Sequence, residues 1–275
     1  MKDLPFEVQL NNAVAALRHL LEVQKTQTPL LIRPAAVNRP LRQQVQKRAA
    51  AGRQATAPVR QAAAPGPRPV QNEIQAFNLA SLSLGDSWNN LDLGELEKVV
   101  AKCQACELAG TRTNTVFGEG KIKPKVMFIG EGPGGEEDKE GRPFVGPAGQ
   151  LLDKMIAAMT LSRQECYIAN VVKCRPPGNK TPDAAHMEAC LPYLMAQIKR
   201  VQPEFIVLLG AVAAKAMFNR PDAVVGRLRA KVHQWHDIPL VVTYHPAALL
   251  REQGYKRPAW EDLKLVMARL NLGGQ

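Results

Sequence analysis

Four of the five cysteines in the 275-residue chain have a spacing that could hold metal. Cys103 and Cys106 form a C-x2-C pair, 67 residues intervene before Cys174, and 15 more separate it from Cys190. A C-x2-C pair with no secretion signal before it reads as metal binding rather than as a disulfide framework. Zinc and an iron-sulfur cluster both accept four thiolates, and the second C-x2-C pair that would favour a zinc ribbon is absent. Cys166 lies inside an apolar run and reads as a core thiol. A second group of residues could do covalent chemistry. GEGPG at 130–134 sets an acid among glycines that let backbone approach a ligand closely, Asn170 lies within an apolar run, and His245 is followed at once by Pro246.

Those residues sit at the ends of segments with strand character. The runs 126–130, 166–172, 205–210 and 239–244 are apolar and short, as buried parallel strands are. Helical segments near 147–160, 182–200, 211–218 and after 258 separate them, and Asp92 with Glu95 forms a capping-box-like helix start ahead of them. This alternation predicts an α/β fold: a central parallel four-stranded sheet flanked by helices, joined by right-handed crossovers. Ligands bind such sheets beyond the carboxyl ends of the strands. GEGPG, Asn170, Gly210 and His245 all fall there, so distant segments should converge on one rim.

The composition narrows the partners. With 45% hydrophobic residues the chain can bury an ordinary core, and its formal net charge of +11 favours a polyanion, either nucleic acid or an anionic membrane surface. No apolar run is long enough for a membrane span, and a soluble cytoplasmic protein is expected. Residues 1–26 carry Leu10, Val14, Leu17 and Leu21 on one face of a short amphipathic helix, which could dock on the domain or on a protein partner. Residues 27–90 read as a mostly disordered, basic, Pro/Ala-rich linker. Between 27 and 72 there are eight basic residues, seven prolines, no acid and no aromatic. The folded domain is expected over 91–275.

Residues 130–153 (GEGPGGEEDKEGRPFVGPAGQLLD), 167–182 (YIANVVKCRPPGNKTP), the run ending in Gly210, and 243–251 (TYHPAALLR) together resemble the family 4 uracil-DNA glycosylases, the iron-sulfur branch of that superfamily. The similarity covers about residues 93–270, with four motifs and all four cysteine positions in order. One departure is Gly135, where many relatives have an acid, although Glu136, Glu137 and Asp138 follow.

The resemblance implies a [4Fe-4S] cluster on Cys103, Cys106, Cys174 and Cys190, and hydrolysis of the N-glycosidic bond of uracil in DNA by a chain expected to act as a monomer. Uracil must first leave the helix for a pocket. Phe144 would stack on the base, and Gly132 would let backbone approach it. The amide of Asn170 complements uracil's N3 hydrogen and O4 and mismatches cytosine. His245 matches the donor to O2, and Glu131 lies by similarity beside the attacking water. Glu137 would wall off the C5 position against thymine's methyl group. Leu249 would fill the gap left by the flipped nucleotide, with Arg251, Lys256 and Arg257 placed to contact phosphates. A noncatalytic iron-sulfur module that binds DNA or a replication partner is the rival from another class, and Glu131, Asn170 and His245 weigh against it. A uracil-crosslinking relative would carry an Arg-rich loop ending in Ile-His, which this sequence lacks.

Overall fold

A computed structural model describes residues 91–273. The helix expected at 1–26 and the linker at 27–90 lie outside the described residues. Helix α1 (Leu93–Ala101) opens on the expected capping box: Asp92 Oδ1 accepts from Glu95 N and Glu95 Oε2 accepts from Asp92 N, both at 2.8 Å. There follow β1 (Glu119–Gly120), β2 (Val126–Gly130), α2 (Gly135–Glu140), α3 (Pro147–Ala158), β3 (Tyr167–Asn170), α4 (Ala184–Val201) and β4 (Phe205–Leu209). The chain continues through α5 (Ala211–Phe218), α6 (Val225–Leu228), β5 (Val232–Trp235), β6 (Ile238–Thr243), α7 (Pro246–Arg251) and α8 (Lys256–Arg269).

The four expected strands form the parallel centre of the sheet, in the order β3-β2-β4-β6. The sheet is nonetheless six-stranded, because β1 pairs antiparallel with β3 and β5 pairs antiparallel with β6. Both additions carry weak sequence signals for a physical reason. β1 has two residues and therefore no periodicity. β5, VHQW, alternates exposed and buried positions as a one-sided edge strand does, and joins β6 through the tight turn at His236 and Asp237.

The central strands alternate between two cores. Met127, Ile129, Ile206, Leu208 and Val242 face one layer with Leu96 of α1, Leu194 of α4 and Met217 of α5. Val126, Phe128, Phe205, Val207 and Val241 face the other with Leu152 of α3 and Leu263 of α8. Burial on both faces accounts for the unbroken apolar runs, and it confines polar side chains to the strand ends.

One polar group within the second layer joins three segments. Asp262 of α8 is fully buried and accepts from the Thr243 hydroxyl (2.8 Å), Ala230 N (2.9 Å) and Arg229 Nε (3.1 Å). It thereby holds the end of β6, two residues before His245, against α8. Asp262→Ala should destabilise the domain by about 3 kcal/mol, since it strands buried donors and the Arg229 charge. The denaturant midpoint of the variant against the parent checks this.

Candidate active site

Parallel pairing of β2 with β3 sets Gly130 directly opposite Asn170. The loops beyond these strands, together with the start of α7, enclose a cavity of about 640 Å³. Glu131, Gly132, Glu137, Phe144, Asn170 and His245 line it, and Arg251 stands at its edge. Seven of the residues expected to handle DNA and base thus meet in one place.

Asn170 is 1% exposed, and its Oδ1 is buried with no hydrogen-bond partner. A buried amide oxygen left unpaired is costly and marks a position that a ligand's donor would satisfy. Phe144 is buried beside it at a positive φ of 52°, a strained backbone for a bulky residue. Three features hold that strain. Arg163, anchored by Glu119 and Asp153, donates to the carbonyls of Phe144 and Pro143. Glu137 Oε1 accepts from Val145 N and Gly146 N, both at 3.0 Å, while its Oε2 accepts from Gly134 N at 3.1 Å. Finally, a Cβ on Gly149 would lie 1.8 Å from the Phe144 carbonyl oxygen, so only glycine lets α3 approach this close. Glu137 therefore lines the cavity as a fixed brace, with both oxygens engaged by backbone.

His245 caps α7: its Nδ1 accepts from Ala247 N at 3.1 Å, which assigns the ring hydrogen to Nε2. Its ring centroid lies 5.6 Å from that of Phe144. Burial pushes the His245 pKa down to about 4, the nearby Arg251 charge adds to the effect, and Glu137 opposes it. The imidazole is thus neutral at physiological pH and still offers a donor. Burial raises the pKa of Glu131, against a hydrogen bond from Thr181 and the charge of Arg251.

The expected wedge, Leu249, is not on the exposed face of its helix. Leu249 is 2% exposed, turned inward on α7, whereas its neighbour Leu250 is 45% exposed. One residue on a helix rotates the side chain by about 100°, which exchanges the inner face for the outer. Arg251, Lys256 and Arg257 are exposed near it. Sequence reasoning missed Arg163, Thr181 and the tight packing at Gly130 and Gly149. A lone arginine, threonine or glycine has no spacing signal, and only the close approach of distant segments reveals them.

The four metal-candidate cysteines also come together. Cys103 and Cys106 follow α1, Cys174 follows β3 and Cys190 lies on α4, and all four line one small cavity. Donors point at their sulfurs: Tyr193 OH to Cys103 (3.2 Å), Arg112 Nη1 to Cys174 (3.3 Å) and Lys173 N to Cys190 (3.2 Å). Such donors suit thiolates, which hold negative charge in a ligand set. Among the described residues, no three His, Cys, Asp or Glu side chains converge tightly enough for a single metal ion. A cluster of several irons spreads its thiolates more widely than one ion does. Cys166 lies apart in the core, where burial pushes its thiol up to about 12.

The family model described as the Uracil DNA glycosylase superfamily matches residues 117–264, a span that holds the whole cavity. The chain belongs to that superfamily. Within it, this is a member of the type-4 branch. It is 42% identical to the type-4 uracil-DNA glycosylase of Pyrobaculum aerophilum over 182 residues, covering 64% of this chain and 93% of the relative. The type-4 enzyme of Saccharolobus solfataricus is 41% identical over 191 residues, covering 66% and 88%. That of Thermotoga maritima is 43% identical over 168 residues, covering 60% and 88%.

A Cβ on Gly130 would fall 2.4 Å from Asn170 Oδ1 and 2.5 Å from Phe144 Cζ. Both are ends of side chains that can swing away, so Gly130→Ala should fold but close the pocket. Excision should fall by roughly 10² or more, as for loss of a well-placed group, with the melting temperature little changed. Single-turnover rates and a thermal melt on the same preparation check both halves.

Proposed function

We propose that this protein excises uracil from DNA by hydrolysing the N1–C1′ bond of an extrahelical deoxyuridine, leaving an abasic site. The observation that carries this reading is the unpartnered, buried Oδ1 of Asn170 beneath the Phe144 ring. Uracil's N3–H donates to that oxygen and its O4 accepts from the same amide, while cytosine presents a lone pair at N3 and a donor at C4. Phe144 covers one face of the base, Gly132 lets backbone close on it, and the fixed carboxylate of Glu137 limits room at C5.

As the N1–C1′ bond breaks, its electron pair leaves with uracil. The neutral His245 donates from Nε2 to O2, where negative charge gathers. Glu131 orients water toward C1′ and takes its proton as the new C1′–O bond forms, and its charge faces the cation developing on the sugar. Leu250, rather than Leu249, fills the gap left in the helix, and Arg251, Lys256 and Arg257 hold phosphates. The family supports DNA as the partner and, with it, the cytoplasm as the compartment; among the described residues no helix is long and apolar enough to cross a membrane.

Cys103, Cys106, Cys174 and Cys190 would hold a [4Fe-4S] cluster, which, with all four thiolates engaged, braces the loops and offers no position to substrate.

A uracil-containing oligonucleotide should yield alkali-labile sites in excess EDTA, and His245→Ala should lower the single-turnover rate by about 10² to 10³. Strand cleavage without alkali, or dependence on added magnesium, would defeat the reading. The acid limb of the rate should lie above the ordinary carboxylate range, because a raised Glu131 pKa means the base is protonated sooner as pH falls. His245, neutral down to about pH 4, does not set that limb. The limb should vanish in Glu131→Gln.

Anaerobically purified protein should be brown and contain about four irons per chain. Colourless protein with stoichiometric zinc would refute the cluster.

A further inference from the structure

Two of the five exposed large apolar side chains among the described residues fall in the short stretch that joins α7 to α8: Leu250 at 45% and Tyr255 at 39% exposure. Tyr255 is the one aromatic of the five, and the chemistry above does not use it. Single exposed apolar residues are ordinary on a protein surface. The surroundings of this one are not. Its ring stacks on that of Tyr244, with centroids 4.2 Å apart and planes 3° from parallel. Over Tyr244 also lies the Arg229 guanidinium, 5.8 Å from the ring centroid, and Arg229 is itself held by buried Asp262 and by the Pro258 carbonyl (2.6 Å). An aromatic ring at the surface is thus fixed to a buried carboxylate through two intermediaries.

The backbone beneath it is equally settled. Tyr255 ends the tight turn Gln253–Tyr255, in which its N donates to the Glu252 carbonyl (3.2 Å) and Glu252 Oε1 accepts from Gly254 N (3.0 Å). Tyr244 stands between Thr243, the last residue of β6, and His245 on the cavity wall, so the stacked pair lies at the end of the sheet where the cavity opens. Residues 250–257, LREQGYKR, carry three basic side chains and one acid. That acid, Glu252, is engaged by the turn's own backbone. Lys256 and Arg257, which follow Tyr255 directly, are exposed and form no ion pair among the described residues. A flat ring beside unpaired cations matches the two parts of a nucleotide, its base and its phosphate.

We propose that Tyr255 is a stacking platform for an unpaired base of the strand that carries the uracil, so that the protein grips single-stranded uracil DNA more tightly than the α7 contacts alone allow. This rests on the uracil-excision reading above. A base within a duplex has both faces covered by its neighbours, whereas a base in a single strand has a face to offer without the cost of opening a pair. Because the Tyr244 stack holds the ring before DNA arrives, little freedom is lost on contact. Lys256 and Arg257 face the phosphates beside the stacked base.

Equilibrium binding of single-stranded and duplex oligonucleotides carrying 2′-fluoro-deoxyuridine, whose glycosidic bond resists cleavage, tests this. Tyr255→Leu keeps apolar bulk without a flat face, and should weaken single-strand binding roughly tenfold and duplex binding by about twofold at most. Tyr255→Phe should bind both as the parent does. Equal loss on the two DNAs in Tyr255→Leu, no loss on either, or a comparable loss in Tyr255→Phe overturns the proposal.

A measurement on the parent protein removes any dependence on variant folding. Iodouracil placed on either side of the target, one position at a time in a single strand, should crosslink to Tyr255 under ultraviolet light, as read by mass spectrometry of the digested adduct. Absence of Tyr255 from the crosslinked peptides at every position overturns the platform even where uracil is released. Parent protein that releases no uracil from DNA would instead overturn the excision reading, a separate and recognisable failure.

Discussion

The parallel pairing of β2 with β3 places the backbone of Gly130 opposite Asn170, with no Cβ between them and the Phe144 ring. The proposed base pocket depends on that absence. The strand pair sets Asn170 at the floor, the missing side chain leaves room for its amide, and the aromatic ring comes down over the same gap. Phe144 accepts a strained backbone to reach this position. Arg163, Glu137 and the bare surface of α3 at Gly149 hold it there by means of backbone groups alone, so the stacking surface is in place before a base arrives.

Burial then sorts the ionisable groups by role. The same low-polarity surroundings favour the neutral form of both groups, lowering the His245 pKa and raising that of Glu131. A neutral imidazole whose Nδ1 is occupied by Ala247 N can only donate from Nε2, and the helix cap becomes the device that sets the tautomer. Arg251 acts on both groups, disfavouring imidazolium and favouring carboxylate, so one exposed cation biases the proposed donor and the proposed base together.

The cysteine cavity adjoins this region along the chain: Cys174 follows Asn170, the last residue of β3, by four positions. A metal group there would fix the exit of β3. Its cysteines also come from the segment just after α1 and from α4, so it would tie both helices of one layer to that exit.

The apolar runs 126–130 and 205–209 and the helix at 211–218 were legible in the chain because a sheet buried on both faces must be continuously apolar, and no polar alternative fits. The cysteine spacing and the four motifs likewise pointed to residues that the fold brings together around two cavities. Register, rotation and close approach were not legible. β1 and β5 are short edge strands whose existence depends on a neighbour to pair with. The inward turn of Leu249 and outward turn of Leu250 follow from how α7 sits against the domain, since both residues have the same chemistry. Arg163 reaches back to the carbonyls of Pro143 and Phe144, and Gly149 lets α3 approach the second of them. Linear sequence can specify which side chains carry the chemistry, because that depends on residue type; which backbone atoms they meet is decided by packing, which brings those atoms within 3 Å only after the layers close.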